Sequence, residues 1–466
     1  MIQRGVALIF ATSLLTAVAA AQSVSSSPVP SNAEIRKILV ERIDTFHQGV
    51  GIVVGVIDAH GRRVVAYGSF EKGDVRPLNG DTIFEIGSAT KVFTSLLLAD
   101  MVQRGEVTLS DPVAKYLPPE VKAPERGGRT ITLVDLSTHT SGLPRLPSNL
   151  QPKDPANPYA DYTVERLYQF LSTYQLTRDI GTQFEYSNLG GGLLGFALAR
   201  RAGMDYEALV HSRITGPLGM NSTGITLTRE MKARLAVGHN ADLKAVPNWD
   251  FQVLAGCGAL RSTVNDLLTF LAANLGYLKS PLAPAMASML AVRRSTDSPR
   301  LGEIGLGWLV TKPSSDEIVW HNGGTGGYRS FVGFEPKTRV GVVVLSNTFT
   351  AVGVDDIGMH LLDSYVPLLP PPIEHKEIAV DPKLFDGYVG QYLLAPNFIL
   401  TITREGDKLF AQATGQPKVQ IFPESEREFF YKVVDAQITF ETDSTGRAIS
   451  LTLHQNGANL PAKRVE

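Results

Sequence analysis

The amino-acid sequence predicts a two-lobed α/β fold, an antiparallel sheet flanked by helices beside a mostly helical lobe, followed by a small antiparallel β domain. Three observations predict this arrangement. Strand patterns lie towards both ends of the first 366 residues, and helical and loop segments fill the middle. A proline-rich stretch comes next, and beyond it short strand patterns alternate with polar turns. A sheet built from both chain ends, with helices inserted between them, is a two-lobed α/β design.

Length and composition indicate a large globular protein. The chain has 466 residues, of which 43% are hydrophobic and 19% charged, and its formal net charge is -2. This length provides a large core and an additional domain. A nucleic-acid-binding protein usually carries a basic run or stripe, and the sequence has none, so we expect no nucleic-acid partner.

The first residues are typical of a secretory leader. An apolar run covers residues 6–21, follows Arg4 and ends in three alanines at positions 19–21. A short apolar run with a positive start and small residues at its end is typical of a signal peptide. We therefore expect residues 1–21 to be a signal peptide and the protein to be periplasmic or secreted. The alternative is an uncleaved anchor, which the shortness of the run disfavours.

Cys257 is the single cysteine of the chain. An intramolecular disulfide is therefore excluded, although export usually permits disulfides. Because no cysteine stands at the predicted cleavage site, a lipid anchor is not expected, and we predict no stable membrane anchor. Cys257 lies between glycines at 256 and 258, which favours a small buried residue in a tight turn.

The first large domain is predicted over residues 33–366. Ser31 is a suitable cap for a helix whose apolar residues recur on one face. A hairpin is predicted from two strand patterns at residues 51–58 and 63–68. The later elements are strands at 317–320, 330–334 and 340–346, and a helix at 353–366.

The last part of the chain is predicted to form a separate domain, joined to the first by a linker. Prolines at 367, 370, 371 and 372 indicate a stiff linker over residues 367–377. Residues 378–466 are predicted to form a barrel-like β domain, because short strands regularly alternate with polar turns. The predicted strands are 398–403, 408–413, 428–433, 436–441 and 448–453.

Ser88 and Lys91 form the first motif that indicates chemistry. They open a strongly helical stretch, so that the two side chains lie one turn apart on one helix face. The positive end of the helix dipole favours the alkoxide character that a nucleophile needs. A second Ser-x-x-Lys pattern starts at Ser69, but no helix pattern follows it, and we interpret that copy as a solvated turn.

The second motif is Tyr186-Ser187-Asn188. A phenol can transfer a proton, and an asparagine amide can bind a substrate amide while it holds a lysine. The glycine run at 190–195 that follows also fits a dinucleotide-binding fingerprint. It follows a loop rather than a strand, and no acidic residue lies about 20 residues further on. Close helix packing is therefore the favoured interpretation of these glycines.

The third motif, residues 321–327, begins with His321 after a short strand that ends at Trp320. The glycines at 323, 324, 326 and 327 let a substrate approach the backbone, and exposed N–H groups there can face an oxyanion. A phosphate-binding loop is the alternative, but it requires a Gly-Lys-Ser/Thr sequence that is absent.

These three motifs, in this order, resemble the penicillin-recognising serine hydrolases, and specifically their class C β-lactamase-like branch. Stretches at 136–144, 258–263 and 305–308 add to the resemblance, which covers roughly residues 33–366. It implies the β-lactamase-like fold, and the tail resembles the small β domain often appended in this family. The implied activity is hydrolysis of an amide, peptide or ester bond through an acyl-enzyme, without a metal or cofactor.

The resemblance also implies a role for each motif residue. Ser88 is expected to be acylated, Lys91 to hold or take its proton, and Tyr186 to relay a proton to the leaving group. Asn188 is expected to bind the acyl amide. The substrate is also expected to contact His321, Gly323 and Gly324 of the third motif, and the N–H groups of Ser88 and Gly324 are expected to form the oxyanion hole.

Two departures from the family pattern leave the substrate open. Class C β-lactamases carry a lysine where this chain has His321, and Thr90 replaces a serine of the usual Gly-Ser-x-Ser-Lys form. Cleavage of a β-lactam or a D-Ala-type peptide is the leading hypothesis. An esterase acting on small acyl esters, and a slowly deacylating penicillin sensor or scaffold, are the alternatives. Because histidine titrates near a pKa of about 6.5, the charge of His321 is expected to vary near neutral pH.

The leader generates a first prediction. Exported protein should begin at or near Gln22, because small residues at the end of the apolar run mark the cleavage site. N-terminal sequencing of the exported protein checks this, and an Ala21→Arg variant should retain the leader. Exported wild-type protein that still begins at Met1 would indicate an uncleaved anchor instead.

Overall fold

The structure is a computed structural model that describes residues 29–370, 375–395, 398–414, 416, 418–432, 434, 436–455 and 458–465. The predicted signal peptide lies outside the described residues, as do residues 371–374 of the predicted linker. The boundaries of the leader and of the linker therefore stay predictions.

The helices of the described chain are α1 Asn32–Val40, α2 Thr90–Gln103, α3 Leu133–Ser137, α4 Val164–Thr173, α5 Asn188–Ala202, α6 Tyr206–Val210, α7 Gly216–Leu218, α8 Arg229–Ala233, α9 Val264–Asn274, α10 Ala283–Met289, α11 Asp355–Leu362 and α12 Phe385–Tyr388. The first twelve strands are β1 Gly51–Asp58, β2 Gly61–Gly68, β3 Ile83–Glu85, β4 Glu125–Arg126, β5 Arg129–Thr130, β6 Arg261–Thr263, β7 Arg294–Ser295, β8 Glu303–Ile304, β9 Leu309–Thr311, β10 Ile318–Gly324, β11 Arg329–Glu335 and β12 Val340–Ser346. The strands of the tail are β13 Gly390–Ala395, β14 Phe398–Glu405, β15 Lys408–Ala413, β16 Val419–Pro423, β17 Glu428–Tyr431, β18 Ala436–Thr442, β19 Ala448–Gln455 and β20 Ala458–Arg464.

A large antiparallel sheet joins the two ends of the first domain, as the sequence predicts. Its strand order is β2-β1-β12-β11-β10-β9-β8-β7. All residues of β1 are buried, because helices cover both faces of the sheet. Ile52, Val54 and Val56 share a core with residues of α1 and α11, whereas Val53 and Ile57 face the core that includes α9. This arrangement places β10 and β11 in the middle of the sheet.

The second lobe is built around α2, which is buried along most of its length. Helix α5 packs closely against α2 through its glycines. A Cβ atom placed on Gly191 would lie 3.0 Å from Lys91 Cε, and one placed on Gly195 would lie 2.8 Å from the Cα of Gly256. Close packing therefore accounts for the glycine run, as the sequence interpretation favours.

The tail forms a closed eight-stranded antiparallel barrel, β13 to β20, with a core of its own. Aromatic rings fill this core. Those of Tyr388 and Phe440 stack with centroids 4.5 Å apart, and Phe429 packs edge-on against Phe440 at 5.5 Å. The predicted barrel-like domain is thus confirmed as a fold.

Several predicted boundaries are wrong. The strand predicted at 317–320 continues to Gly324, so the glycine motif lies within β10 rather than in a loop after it. The helix predicted at 353–366 covers only Asp355–Leu362. Strands β13, β16 and β20 were not predicted, because proline, glycine and polar residues weigh against a strand in sequence patterns. Barrel closure provides the strand pairing that local sequence does not indicate.

Among the described residues, no helix has both the length and the apolar character needed to cross a membrane.

The separate cores generate a prediction about the tail. Protein truncated after residue 372 should fold and still acylate Ser88, because the sequence motifs and their packing partners lie before the barrel. The cut keeps the Leu369 N–H that donates to Asp356 at 2.9 Å. Circular dichroism and active-site labelling of the full-length and truncated proteins check this. A folded truncated protein that is not acylated would indicate that the tail completes the site.

Candidate active site

Ser88 lies at the junction of the two lobes. Strand β3 ends at Glu85, and a 3-10 turn, Gly87–Ala89, leads directly into α2. Ser88 is partly exposed, whereas its two neighbours in the turn are buried. The hydroxyl is therefore accessible at the start of a helix, where the dipole favours negative charge.

Lys91 holds three groups from three segments of the chain. Its Nζ donates to Ser88 Oγ at 3.1 Å, to Asn188 Oδ1 at 2.9 Å and to the carbonyl oxygen of Cys257 at 2.7 Å. The side chain is buried. An ammonium group has three N–H donors, so each donor has an acceptor.

The carbonyl oxygen of Cys257 was not predicted as part of the site. Cys257 is buried and free, and it ends the short 3-10 turn Gln252–Cys257. The prediction of a small buried residue in a turn is confirmed. However, the group that contacts Lys91 is a backbone atom, and no residue pattern indicates which carbonyl will face a lysine.

Tyr186 and Asn188 lie at the start of helix α5, on either side of its capping residue Ser187. Ser187 caps this helix, because its Oγ accepts the Gly190 N–H at 2.8 Å. Lys91 Nζ lies 4.8 Å from the centroid of the Tyr186 ring, and Asn188 Nδ2 donates to the hydroxyl of Tyr159 at 3.0 Å. The structure thus brings the first two sequence motifs together around Lys91.

His139 is a site residue that sequence reasoning did not single out. Its backbone is left-handed, with φ of 56°, a costly conformation for a residue other than glycine. Its Nδ1 accepts the Ser187 N–H at 3.1 Å, and its ring lies 4.5 Å from that of Tyr186. Burial and the nearby Lys91 charge lower the pKa of His139 well below its usual value. The neutral ring can therefore accept this hydrogen bond and hold Tyr186 in place.

The third motif approaches the Ser88 turn through its backbone. A Cβ atom on Gly323 would lie 2.0 Å from the carbonyl oxygen of Ile86, and one on Gly87 would lie 2.6 Å from the nitrogen of Gly324. Ser330 Oγ on β11 also donates to the Ile86 carbonyl at 2.7 Å. Glycine is required at 323 and 87, because a side chain at either position would separate β10 from the turn.

His321 is buried beside the site, with 1% of its surface exposed. Its ring lies 6.2 Å from that of Tyr186, and its Nδ1 lies 2.6 Å from the Asn322 carbonyl oxygen, to which it donates in the neutral form. Nε2 is then an acceptor, and no described residue bonds to it. Burial, assisted by the Lys91 charge, lowers the pKa of His321 to about 4. The expected titration near neutral pH is therefore wrong, because a buried imidazolium close to Lys91 is disfavoured.

Residues 39–363 match the β-lactamase family, and residues 374–463 match a domain of unknown function, DUF3471. The chain belongs to the β-lactamase family. It is 33% identical over 344 residues to the D-alanyl-D-alanine-carboxypeptidase/endopeptidase AmpH of Escherichia coli K12, covering 71% of this chain and 87% of that protein. It is 26% identical over 460 residues to penicillin-binding protein 4* of Bacillus subtilis, covering 92% of this chain and 98% of that one.

A solved structure agrees with this assignment. The class C β-lactamase of Rhodobacter sphaeroides superposes with a TM-score of 0.61 at 26% identity, covering 72% of this chain and 99% of that one. The resemblance to the class C β-lactamase-like branch and its fold is confirmed, and this family member is a serine hydrolase. Among its described residues, no group of His, Cys, Asp and Glu side chains is arranged to hold a metal ion.

The buried histidine of this β-lactamase-family hydrolase generates a prediction. Since the pKa of His321 is about 4, the ring is neutral above that pH and gains its charge only as the pH falls towards 4. The ratio of kcat/KM for a carboxylate-bearing substrate to that for a neutral ester should therefore stay flat from pH 6 to 8. Parallel pH profiles of the two substrates measure it, with His60→Gln, at an exposed histidine, as the control variant. A ratio that falls through pH 6.5 in the wild type, but not in His321→Gln, would contradict a neutral His321.

Proposed function

We propose that this protein is an exported hydrolase that cleaves amide bonds, of the β-lactam or D-Ala peptide type, through an acyl-enzyme on Ser88. The observation that carries the proposal is the contact of Lys91 Nζ with Ser88 Oγ at 3.1 Å, beside the Tyr186 ring. A serine at a helix start, one turn from a buried lysine, is an activated nucleophile. The leader pattern at residues 1–21 supports export.

Acylation would proceed as follows. Ser88 Oγ attacks the substrate carbonyl carbon, and its proton passes to the pair of Lys91 and Tyr186, in which Lys91 has given up one proton and reacts as the neutral amine. The oxygen of the tetrahedral intermediate accepts hydrogen bonds from the Ser88 and Gly324 N–H groups. The C–N bond then breaks, and Tyr186 returns the proton to the leaving nitrogen. The close approach of Gly87 to the Gly324 nitrogen supports this oxyanion site.

Deacylation reverses these roles. Water attacks the acyl-enzyme carbonyl while Tyr186 and Lys91 take its proton, and Ser88 Oγ leaves with that proton. Asn188 contributes in both steps by binding the acyl amide and by holding Lys91 through Oδ1. His139 acts on Tyr186 through the Ser187 N–H and is a positioning residue.

Arg329 supports a substrate that carries a carboxylate on its leaving group. A Cβ atom on Gly324 would lie 3.2 Å from Arg329 Nη1, so this guanidinium borders the oxyanion strand. Its Nε and Nη2 donate to the Thr350 carbonyl at 3.0 and 2.7 Å. The guanidinium also stacks on the Phe349 ring, with its carbon 4.0 Å from the ring centroid. No described residue accepts a hydrogen bond from Nη1, and we infer that this donor binds a substrate carboxylate. A penicillin or a D-Ala terminus provides such a group.

Ester hydrolysis is the second candidate, and the neutral His321 favours it. A lysine at this position would add a cation at every neutral pH, whereas a histidine with a pKa of about 4 adds none. A small neutral ester carries no charge for a cation to bind, so a neutral histidine at position 321 does not weaken its binding. A slowly deacylating sensor would use the same residues but would stop at the acyl-enzyme.

Covalent labelling tests the proposal. A fluorescent penicillin or a fluorophosphonate should label the wild type, and Ser88→Ala should abolish labelling and lower kcat by roughly 1,000-fold or more. Ser69→Ala is the matched control, since Ser69 begins the other Ser-x-x-Lys sequence and should label normally. Labelling that survives in Ser88→Ala and is lost in Ser69→Ala would overturn the assignment.

Turnover then separates the candidate functions. A hydrolase of amides should turn over nitrocefin or a D-Ala-D-Ala peptide repeatedly, and an esterase should turn over only p-nitrophenyl esters. A sensor should release one equivalent of product and then stop. Mass spectrometry of the stalled protein would identify the acyl group on Ser88.

A further inference from the structure

Arg145 lies at the rim of the site and has a fixed backbone. Its carbonyl oxygen accepts the N–H groups of Asn188 at 2.9 Å and Leu189 at 3.2 Å, and the preceding Pro144 carbonyl accepts Ser187 Oγ at 2.6 Å. The side chain is exposed, and its guanidinium carbon lies 5.2 Å from the centroid of the Tyr186 ring. The fold therefore holds a cation beside a residue of the catalytic cluster.

The charge of Arg145 is not compensated by any residue that the structure describes. None of them accepts a hydrogen bond from its guanidinium or forms an ion pair with it. Two other arginines of this lobe are paired, Arg178 with Glu185 and Arg126 with Asp179. An arginine with five free N–H donors in a rigid fork is suited to bind a carboxylate.

The other cationic groups of this side of the cleft are unsuited to that task. Lys91 is buried and its three donors already have acceptors. His321 is buried and neutral above about pH 4. Arg329 belongs to the sheet and borders Gly324, whereas Arg145 belongs to the helical lobe and borders Asn188.

We propose that Arg145 binds a negatively charged group on the acyl part of the substrate, the part that becomes attached to Ser88. The inference rests on the proposed function, in which Asn188 binds the acyl amide. It narrows the substrate class to acyl donors that carry a carboxylate on the acyl side of the scissile bond. It thereby adds a specificity residue on the side of the cleft opposite Arg329.

A matched pair of esters with one leaving group tests this proposal. The probes are the mono-p-nitrophenyl ester of adipic acid, with a free carboxylate on its acyl chain, and the same compound with that carboxylate methylated. Wild-type kcat/KM should favour the carboxylate form. Arg145→Gln should lower this preference by roughly 3- to 10-fold, as expected for an exposed charge-assisted contact. Arg145→Lys should retain part of it.

Salt dependence and a control variant exclude a merely structural role. The preference should weaken as ionic strength rises, because contacts between exposed charges are screened. Arg229→Gln, an exposed arginine of α8, should leave the preference unchanged. An Arg145 that only steadied the Tyr186 ring would lower kcat/KM for both esters equally, and an unchanged ratio in Arg145→Gln would overturn the proposal.

Failure of the proposed function would give a different result. If Ser88 is not the nucleophile, Ser88→Ala will hydrolyse both esters at the wild-type rate, whatever Arg145 does. If Ser88 is the nucleophile and Arg145 has no role in specificity, Ser88→Ala will be inactive and the preference will be the same in Arg145→Gln and wild type.

Discussion

The site depends on one buried cation. Lys91 can be buried as an ammonium only if its three donors have acceptors, since an uncompensated buried charge is costly. Those acceptors come from three places, Ser88 one turn away, Asn188 at the start of α5, and the Cys257 carbonyl. Removing one partner of a buried charge typically costs about 3–5 kcal/mol, so the hydrogen bonds that arrange the site also join the segments of the helical lobe.

Glycines allow these segments to approach closely enough. Gly191 lets α5 lie against the Lys91 side chain, and Gly195 lets it contact Gly256, next to the carbonyl that Lys91 needs. On the other side, Gly87 and Gly323 bring the Ser88 turn against β10. Side chains at these positions would separate Ser88, the proposed nucleophile, either from Lys91 or from the strand that we propose to supply the oxyanion donor.

The sequence predicts those parts of the site that depend on local spacing. Ser88 and Lys91 lie three residues apart on a helix, and the β1–β2 hairpin shows strand patterns on both sides of a turn. The Cys257 carbonyl, the left-handed His139 and the length of β10 depend on tertiary packing, which local patterns do not record. The same holds for the pKa of His321, because burial and the distance to Lys91 determine it. Among the barrel strands, β16 and β20 contain proline, so closure of the barrel rather than local propensity explains them.

The neutral histidine changes how charge is distributed across the cleft. His321 is buried near Lys91, where a second cation would be repelled. Imidazole avoids that cost by giving up its proton. In our proposals, the positive charge that contacts a substrate is then carried by Arg145 on the helical lobe and Arg329 on the sheet. Arg145 is exposed and its guanidinium carbon lies 5.2 Å from the centroid of the Tyr186 ring, so it can select the charge of the substrate without the cost of burying a further cation.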